Sequence, residues 1–167
     1  MMKKKLFNPF VKLDGYKCFG CSPDNPFGLQ LRFQEEDDFV TAQWEPKEQF
    51  QGWLNTLHGG IQATMLDEIV SWLVFVKLNT SGVTCEMEVK LKKPVKINEG
   101  IIYLKAQLVE MKRNIAVINT SLYNSNHELC TEAVMHYFTF TESVARERFW
   151  YPGKAAFYSP INKELNK

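Results

Sequence analysis

The segment from Gly59 to Leu78 constrains this chain more than any other. It carries Ile61, Met65, Leu66, Ile69, Val70, Trp72, Leu73, Val74, Phe75, Val76 and Leu78. Over its first half the apolar residues recur at helical spacing. Over its second half they cover nearly the whole circumference. A helix that is apolar all round has to be enclosed, and Asn79-Thr80-Ser81-Gly82 supplies its stop signal. Its longest apolar run, Trp72–Val76 with Ile69-Val70 ahead of it, falls far short of the ~18 residues of a membrane span. Protein rather than lipid must therefore surround it.

The flanking sequence provides that cover. Leu29, Leu31 and Phe33 alternate with Gln30 and Arg32, which predicts a strand. The acidic Glu35–Asp38 stretch reads as a turn, and Val40, Ala42 and Trp44 alternate again to complete a hairpin. After the helix, Val83–Leu91 places Val83, Cys85, Met87, Val89 and Leu91 on one face and Thr84, Glu86, Glu88 and Lys90 on the other. Ile101–Glu110, Ile115–Asn124 and Glu128–Thr141 are long and rich in β-branched and aromatic residues. The order β-β-α-β-β-β-β predicts an α+β fold, with one antiparallel sheet wrapped around a long central helix, the hotdog arrangement. A length of 167 residues suits a single domain. Residues 1–28 read as an irregular N-terminal segment and residues 142–167 as a C-terminal extension without a clear period.

A net charge of +1 gives no reason to expect nucleic acid or an anionic membrane as a partner. The basic start is followed by a stretch too short and broken for a signal peptide, so the expected location is cytoplasmic. Cys18 and Cys21 form a C-x-x-C. A zinc site would need two more ligands, and His58, His127 and His136 show no ligand spacing. Reduced structural thiols are the expectation, with no metal and no cofactor.

Two features could carry chemistry. Asp67 lies within the apolar helix, where an ionised carboxylate is costly unless a partner or a cleft receives it. Asp67 and Glu68 point about 100° apart, so they occupy different environments; the alternative is a narrow polar stripe shared with Gln62 and Ser71. His58-Gly59-Gly60 opens the helix, where free backbone N–H groups can receive an oxyanion. The plainer reading is a loop-to-helix junction capped by Asn55 or Thr56. Gly59 and Asp67 stand about 12 Å apart along one helix axis. One small carbonyl cannot touch both within a chain, so joint action requires a homodimer with composite sites.

Cys18-Phe19-Gly20-Cys21-Ser22-Pro23-Asp24-Asn25-Pro26-Phe27-Gly28-Leu29, then Phe50-Gln51-Gly52-Trp53, then Leu57-His58-Gly59-Gly60 through Asp67-Glu68, resembles the PaaI-type hotdog acyl-CoA thioesterases. Gly82–Val89 and Lys93-Pro94-Val95 resemble their next strand and turn. The resemblance implies hydrolysis of an acyl-CoA thioester to free acid and CoA, with coenzyme A entering only as part of the substrate. It implies Asp67 as catalytic base or nucleophile, the N–H of Gly59 together with Gly60 as oxyanion donors, His58 as a holder of the loop, and Thr84 as a positioner of water. Many relatives carry an Asn where this chain has Gly52, while other branches share the Gly, which leaves Gln51 and Asn55 as polar candidates toward the substrate. Lys93, Arg113 and Asn114 are the candidates for the CoA phosphates, Arg113 first because guanidinium pairs bidentately with phosphate. A homodimer or a dimer of dimers is implied. The alternative is an acyl-CoA-binding hotdog protein without turnover.

Overall fold

The computed structural model describes residues 2–160; Met1 and residues 161–167 of the expected C-terminal extension lie outside the described residues. One seven-stranded antiparallel sheet curls around one long helix. The strands are β1 (Lys3–Lys5), β2 (Phe33–Glu36), β3 (Phe39–Trp44), β4 (Gly82–Leu91), β5 (Ile102–Lys112), β6 (Ile115–Tyr123) and β7 (Leu129–Thr139). Their order across the sheet is β1-β2-β3-β5-β6-β7-β4. The helix α1 (Gly59–Leu73) continues as a π-helical turn over Val74–Leu78 and stops at Asn79 in the left-handed region.

The hotdog arrangement is as expected, and its core follows from the apolar pattern of α1. Met65, Leu66, Ile69, Val70 and Leu73 are inaccessible to solvent, as are Ala106, Ala116, Ile118, Leu122 and Met135 from the sheet. Each of the leucines, isoleucines, methionines and the valine contributes roughly 1.5–3 kcal/mol on burial, the alanines less. The opposite face of α1 is covered by the two ends of the chain. Trp72 stacks on Phe33 with centroids 4.7 Å apart, and Phe75 meets Phe10, Tyr151 and Phe157. A second helix, α2 (Glu142–Phe149), and a 3-10 turn over Lys154–Tyr158 carry those last aromatics into place.

Three local expectations need correction. The N-terminal segment is not wholly irregular: Lys3, Lys4 and Lys5 pair with Glu36, Glu35 and Gln34 to add an edge strand. The acidic stretch contributes Glu35 and Glu36 to β2, and the turn is confined to Asp37-Asp38. Leu29 and Leu31 precede β2 rather than belong to it. Gln30 sits at φ 54°, and the amides of Leu29 and Leu31 donate to the carbonyls of Phe19 and Gly20. The alternating leucines are thus spent on anchoring the C-x-x-C loop.

A fourth correction concerns β4 and bears directly on function. Its register against β7 shifts between Thr84 and Glu86, which leaves Cys85 as a bulge. Thr84 lies opposite Tyr137, and Met87, Val89 and Leu91 lie opposite Met135, Ala133 and Thr131, whose side chains face the helix. Glu86 instead lies opposite His136 on the outer face, where their side chains meet at 3.2 Å. The extra residue therefore moves Thr84 to the helix-facing side of β4, opposite to what plain alternation predicts.

Candidate functional site

Asp67 projects from the third turn of α1 toward β4. It is half-buried, and Thr84 Oγ1 donates a hydrogen bond to its Oδ1 at 2.5 Å. The bulge at Cys85 brings the threonine to that side. Close by, Tyr137 Oη donates to the Gly82 carbonyl at 2.9 Å and lies 3.1 Å from Ser71 Oγ. Burial pushes the Tyr137 phenol up to about 12, so it stays a neutral hydroxyl.

The helix start is built differently from either capping candidate. His58, not Asn55 or Thr56, is the N-cap: its Nδ1 accepts from the Gly60 N–H at 2.9 Å. The Gly60 N–H is thereby engaged by the His58 imidazole. The Ile61 and Gln62 amides both return to the His58 carbonyl. Gly59 is left as the amide at this helix start with no acceptor among the described residues. Any Cβ at Gly59 would lie 2.8 Å from Leu91 Cδ1, so a bare backbone sits against the far end of β4. Gln62 is not part of an exposed polar stripe. It is buried and bridges the Leu57 carbonyl and Thr131 Oγ1.

The remaining candidates scatter. Gln51 Oε1 accepts from the Asn55 amide at 3.0 Å, and Asn55 exchanges hydrogen bonds with Asn98, so both brace the loop ahead of His58. Lys93 pairs with Glu128 at 2.8 Å. Arg113, at φ 57°, and Asn114 form the turn between β5 and β6, where the Asn114 carbonyl accepts from the Thr139 amide and hydroxyl. That turn neighbours the Gly82 end of β4, whereas Lys93 follows its Leu91 end. About 30 Å of strand separates the two.

Glu68, as expected, does not share the surroundings of Asp67. It turns toward the C-x-x-C loop, where Cys18 Sγ lies 3.5 Å from its Oε1 and 3.5 Å from Cys21 Sγ. These three residues border a cavity of about 590 Å³, which Phe10, Tyr16, Phe75, Tyr137 and Trp150 also line. Met65, Ile69 and Trp72 are sealed in the core, and Trp53 is 86% exposed. The sequence offered no local signal for the Glu68 contact, because the partners are fifty positions apart.

Comparison with known proteins agrees with this architecture. A family model described as thioesterase superfamily matches residues 54–131. Acyl-coenzyme A thioesterase 13 of Mus musculus is 32% identical over 86 residues, which make up 51% of this chain and only 61% of that protein's length. Thioesterase superfamily member 2 of zebra fish superposes with a TM-score of 0.61 at 25% identity, covering 71% of this chain and 89% of its own. A thioesterase-like protein of Streptococcus pneumoniae TIGR4, solved with coenzyme A, superposes with a TM-score of 0.59 at 22% identity, covering 64% and 84%. That protein has also been solved with an aspartate, and separately a threonine, replaced by alanine. The family model matches just under half of the chain, and the superpositions show that this chain shares the hotdog fold of these thioesterases. Among the described residues, no helix is long and apolar enough to cross a membrane.

Proposed function

We propose that this protein is an acyl-CoA thioesterase of the PaaI type. Water attacks the thioester carbonyl, the oxyanion is received by the N–H of Gly59, and CoA leaves as the thiol. Asp67 acts as general base on that water or as the nucleophile. Thr84 holds the Asp67 carboxylate in place, and His58 fixes the helix start by capping Gly60. Arg113, with Asn114 in the same turn, takes a CoA phosphate. Lys93 has a weaker claim, since Glu128 already neutralises it, and Gln51 and Asn55 shape the loop that the substrate passes.

The observation that carries this reading is the hydrogen bond from Thr84 to Asp67 at 2.5 Å, on a half-buried carboxylate at the sheet's edge strand. Support for a two-chain site comes from β4 itself. It is an edge strand of ten residues, with Met87 43% and Leu91 57% exposed on its helix-facing side. Such an edge is an open template for another strand. Asp67 meets β4 at Thr84, and Gly59 meets it at Leu91. If two copies pair their β4 strands antiparallel about a two-fold axis near Met87, the Leu91 end of one lies beside the Thr84 end of the other. Gly59 of one protomer then faces Asp67 of its partner. Dimers can pair further into tetramers.

Replacing Asp67 with Asn and following thiol release from acyl-CoA esters tests the reaction. A loss of kcat/KM of at least ~100-fold is expected, and a variant within about threefold of wild type would overturn the assignment. Tight binding of a CoA ester by the wild type without any release of thiol would instead identify a non-catalytic binder.

A further inference from the structure

We propose that Cys18, Cys21 and Glu68 form a binding site for a thiophilic divalent cation of the zinc class, with an open fourth position facing the 590 Å³ cavity. The ligand atoms of the three side chains all lie within 4.8 Å of one another. Around a tetrahedral zinc, two thiolates stand about 3.8 Å apart, and a thiolate and a carboxylate oxygen about 3.5 Å apart. Here the two sulfurs are 3.5 Å apart, and Cys18 Sγ stands 3.5 and 3.6 Å from the two Glu68 oxygens. The three donors already sit near the corners such an ion would impose.

The surroundings are those of anionic sulfur. The Cys21 amide donates to Cys18 Sγ at 3.4 Å, and the Gly20 amide also turns toward it. Asn8 Nδ2 donates to Cys21 Sγ at 3.4 Å, and Tyr16 Oη lies 3.1 Å from the same sulfur. Such donors orient and stabilise thiolate ligands from outside the coordination sphere. Glu68 reaches the sulfurs because residue 20 is glycine: a Cβ there would strike its carboxylate. Metal binding at two thiols and a carboxyl displaces the protons they carry.

Three protein ligands beside a cavity is the pattern of an open zinc site, where water or a ligand completes the tetrahedron. The cluster does not include Asp67, Thr84 or Gly59, so metal binding and thioester hydrolysis can be measured separately.

The test uses the full chain carrying Cys85→Ser, because Cys85 is an exposed thiol able to bind metal on its own. The reduced, chelator-stripped protein is titrated with zinc against a chromophoric chelator, and separately with cobalt. One metal per chain is expected. The cobalt form should show thiolate-to-cobalt charge-transfer absorption and the visible bands of a tetrahedral ion. Cys21→Ser should abolish both signals. Glu68→Gln should weaken zinc at least tenfold while its circular dichroism and melting temperature match those of the stripped parent. Failure to bind stoichiometric metal would overturn the proposal. So would a Cys18–Cys21 disulfide in protein isolated without oxidant, or a Glu68→Gln variant that binds as tightly as its parent.

Discussion

Gly59→Pro is a nearly surgical way to remove the proposed oxyanion donor. Proline belongs at the first position of a helix, where its missing N–H breaks no intrahelical bond. The residue before a proline must be extended, and His58 already is, at φ −59° and ψ 134°. A Cβ at residue 59 would meet Leu91, 2.8 Å from its Cδ1, the far end of a flexible side chain. Loss of one such donor costs ~100- to 1,000-fold in rate. The homodimers of Gly59→Pro and of Asp67→Asn should therefore both be nearly inactive. Combined in one dimer, they generate one site lacking both groups and one site with Asp67 from the first variant and Gly59 from the second. Random 1:1 co-assembly makes half the dimers mixed, and half the sites in those are intact. Thiol release per chain should recover to about a quarter of wild type. Activity no greater than the sum of the two separate variants would refute the shared site, because two groups about 12 Å apart on one helix would then not be acting across an interface.

Thr84→Val keeps the shape of the side chain and removes the donor to Asp67. A hydrogen bond to a charged group is worth ~1.5–3 kcal/mol, so kcat/KM should fall roughly 10- to 100-fold while Thr84→Ser stays near wild type; equal rates for all three would sink the positioning role. Phe157 is fully buried among Phe10, Trp72, Phe75 and Tyr151. Phe157→Ala should cost ~3–5 kcal/mol and lower the melting temperature by roughly 6–20 °C; a fall of only a degree or two would mean that the C-terminal segment is not fastened to the core. Burial disfavours the charged form of Glu35, but its bonds from Lys77 Nζ at 2.6 Å and Tyr158 Oη at 2.7 Å outweigh that and hold its carboxyl below the ordinary range. Its contribution is thus complete above the unfolded value of ~4.3 and fades as pH falls through the lower folded value. Urea unfolding should find Glu35→Gln less stable than wild type at neutral pH, with the gap closing below about pH 4; a gap independent of pH would contradict this.

The central helix and the four strands after it were legible because each is long and strongly patterned, from Ile61 to Leu78 and from Val83 to Thr139. What the sequence hid was non-local or arose from a single irregular residue. Lys3-Lys4-Lys5 has no strand pattern of its own, yet it pairs with Gln34–Glu36, where Lys3 meets Glu36 at 3.4 Å. Leu29 and Leu31 look like a strand but serve the Cys18–Cys21 loop, since Gln30 takes a left-handed conformation. Asp67 stood out as an acid on an apolar helix. The facing of Thr84 could not be read by counting in twos, because the bulge at Cys85 resets the count. Gly60 looked equivalent to Gly59 until the imidazole of His58 claimed its amide.

The closure of the chain's two ends over the helix also sets an order of assembly. The Phe7 amide bonds the Phe157 carbonyl, and Phe10 packs edge-on to the Phe157 ring. Bringing together residues so distant in sequence is favourable only after the intervening chain has collapsed, because loop-closure entropy grows with the span. The cavity beside Glu68 takes its walls from Phe10 and Leu13 on one side and from Phe149 and Trp150 on the other. A chain in which either of these segments is undocked therefore lacks the cavity. The site beside Glu68 is complete only when both segments have closed over α1.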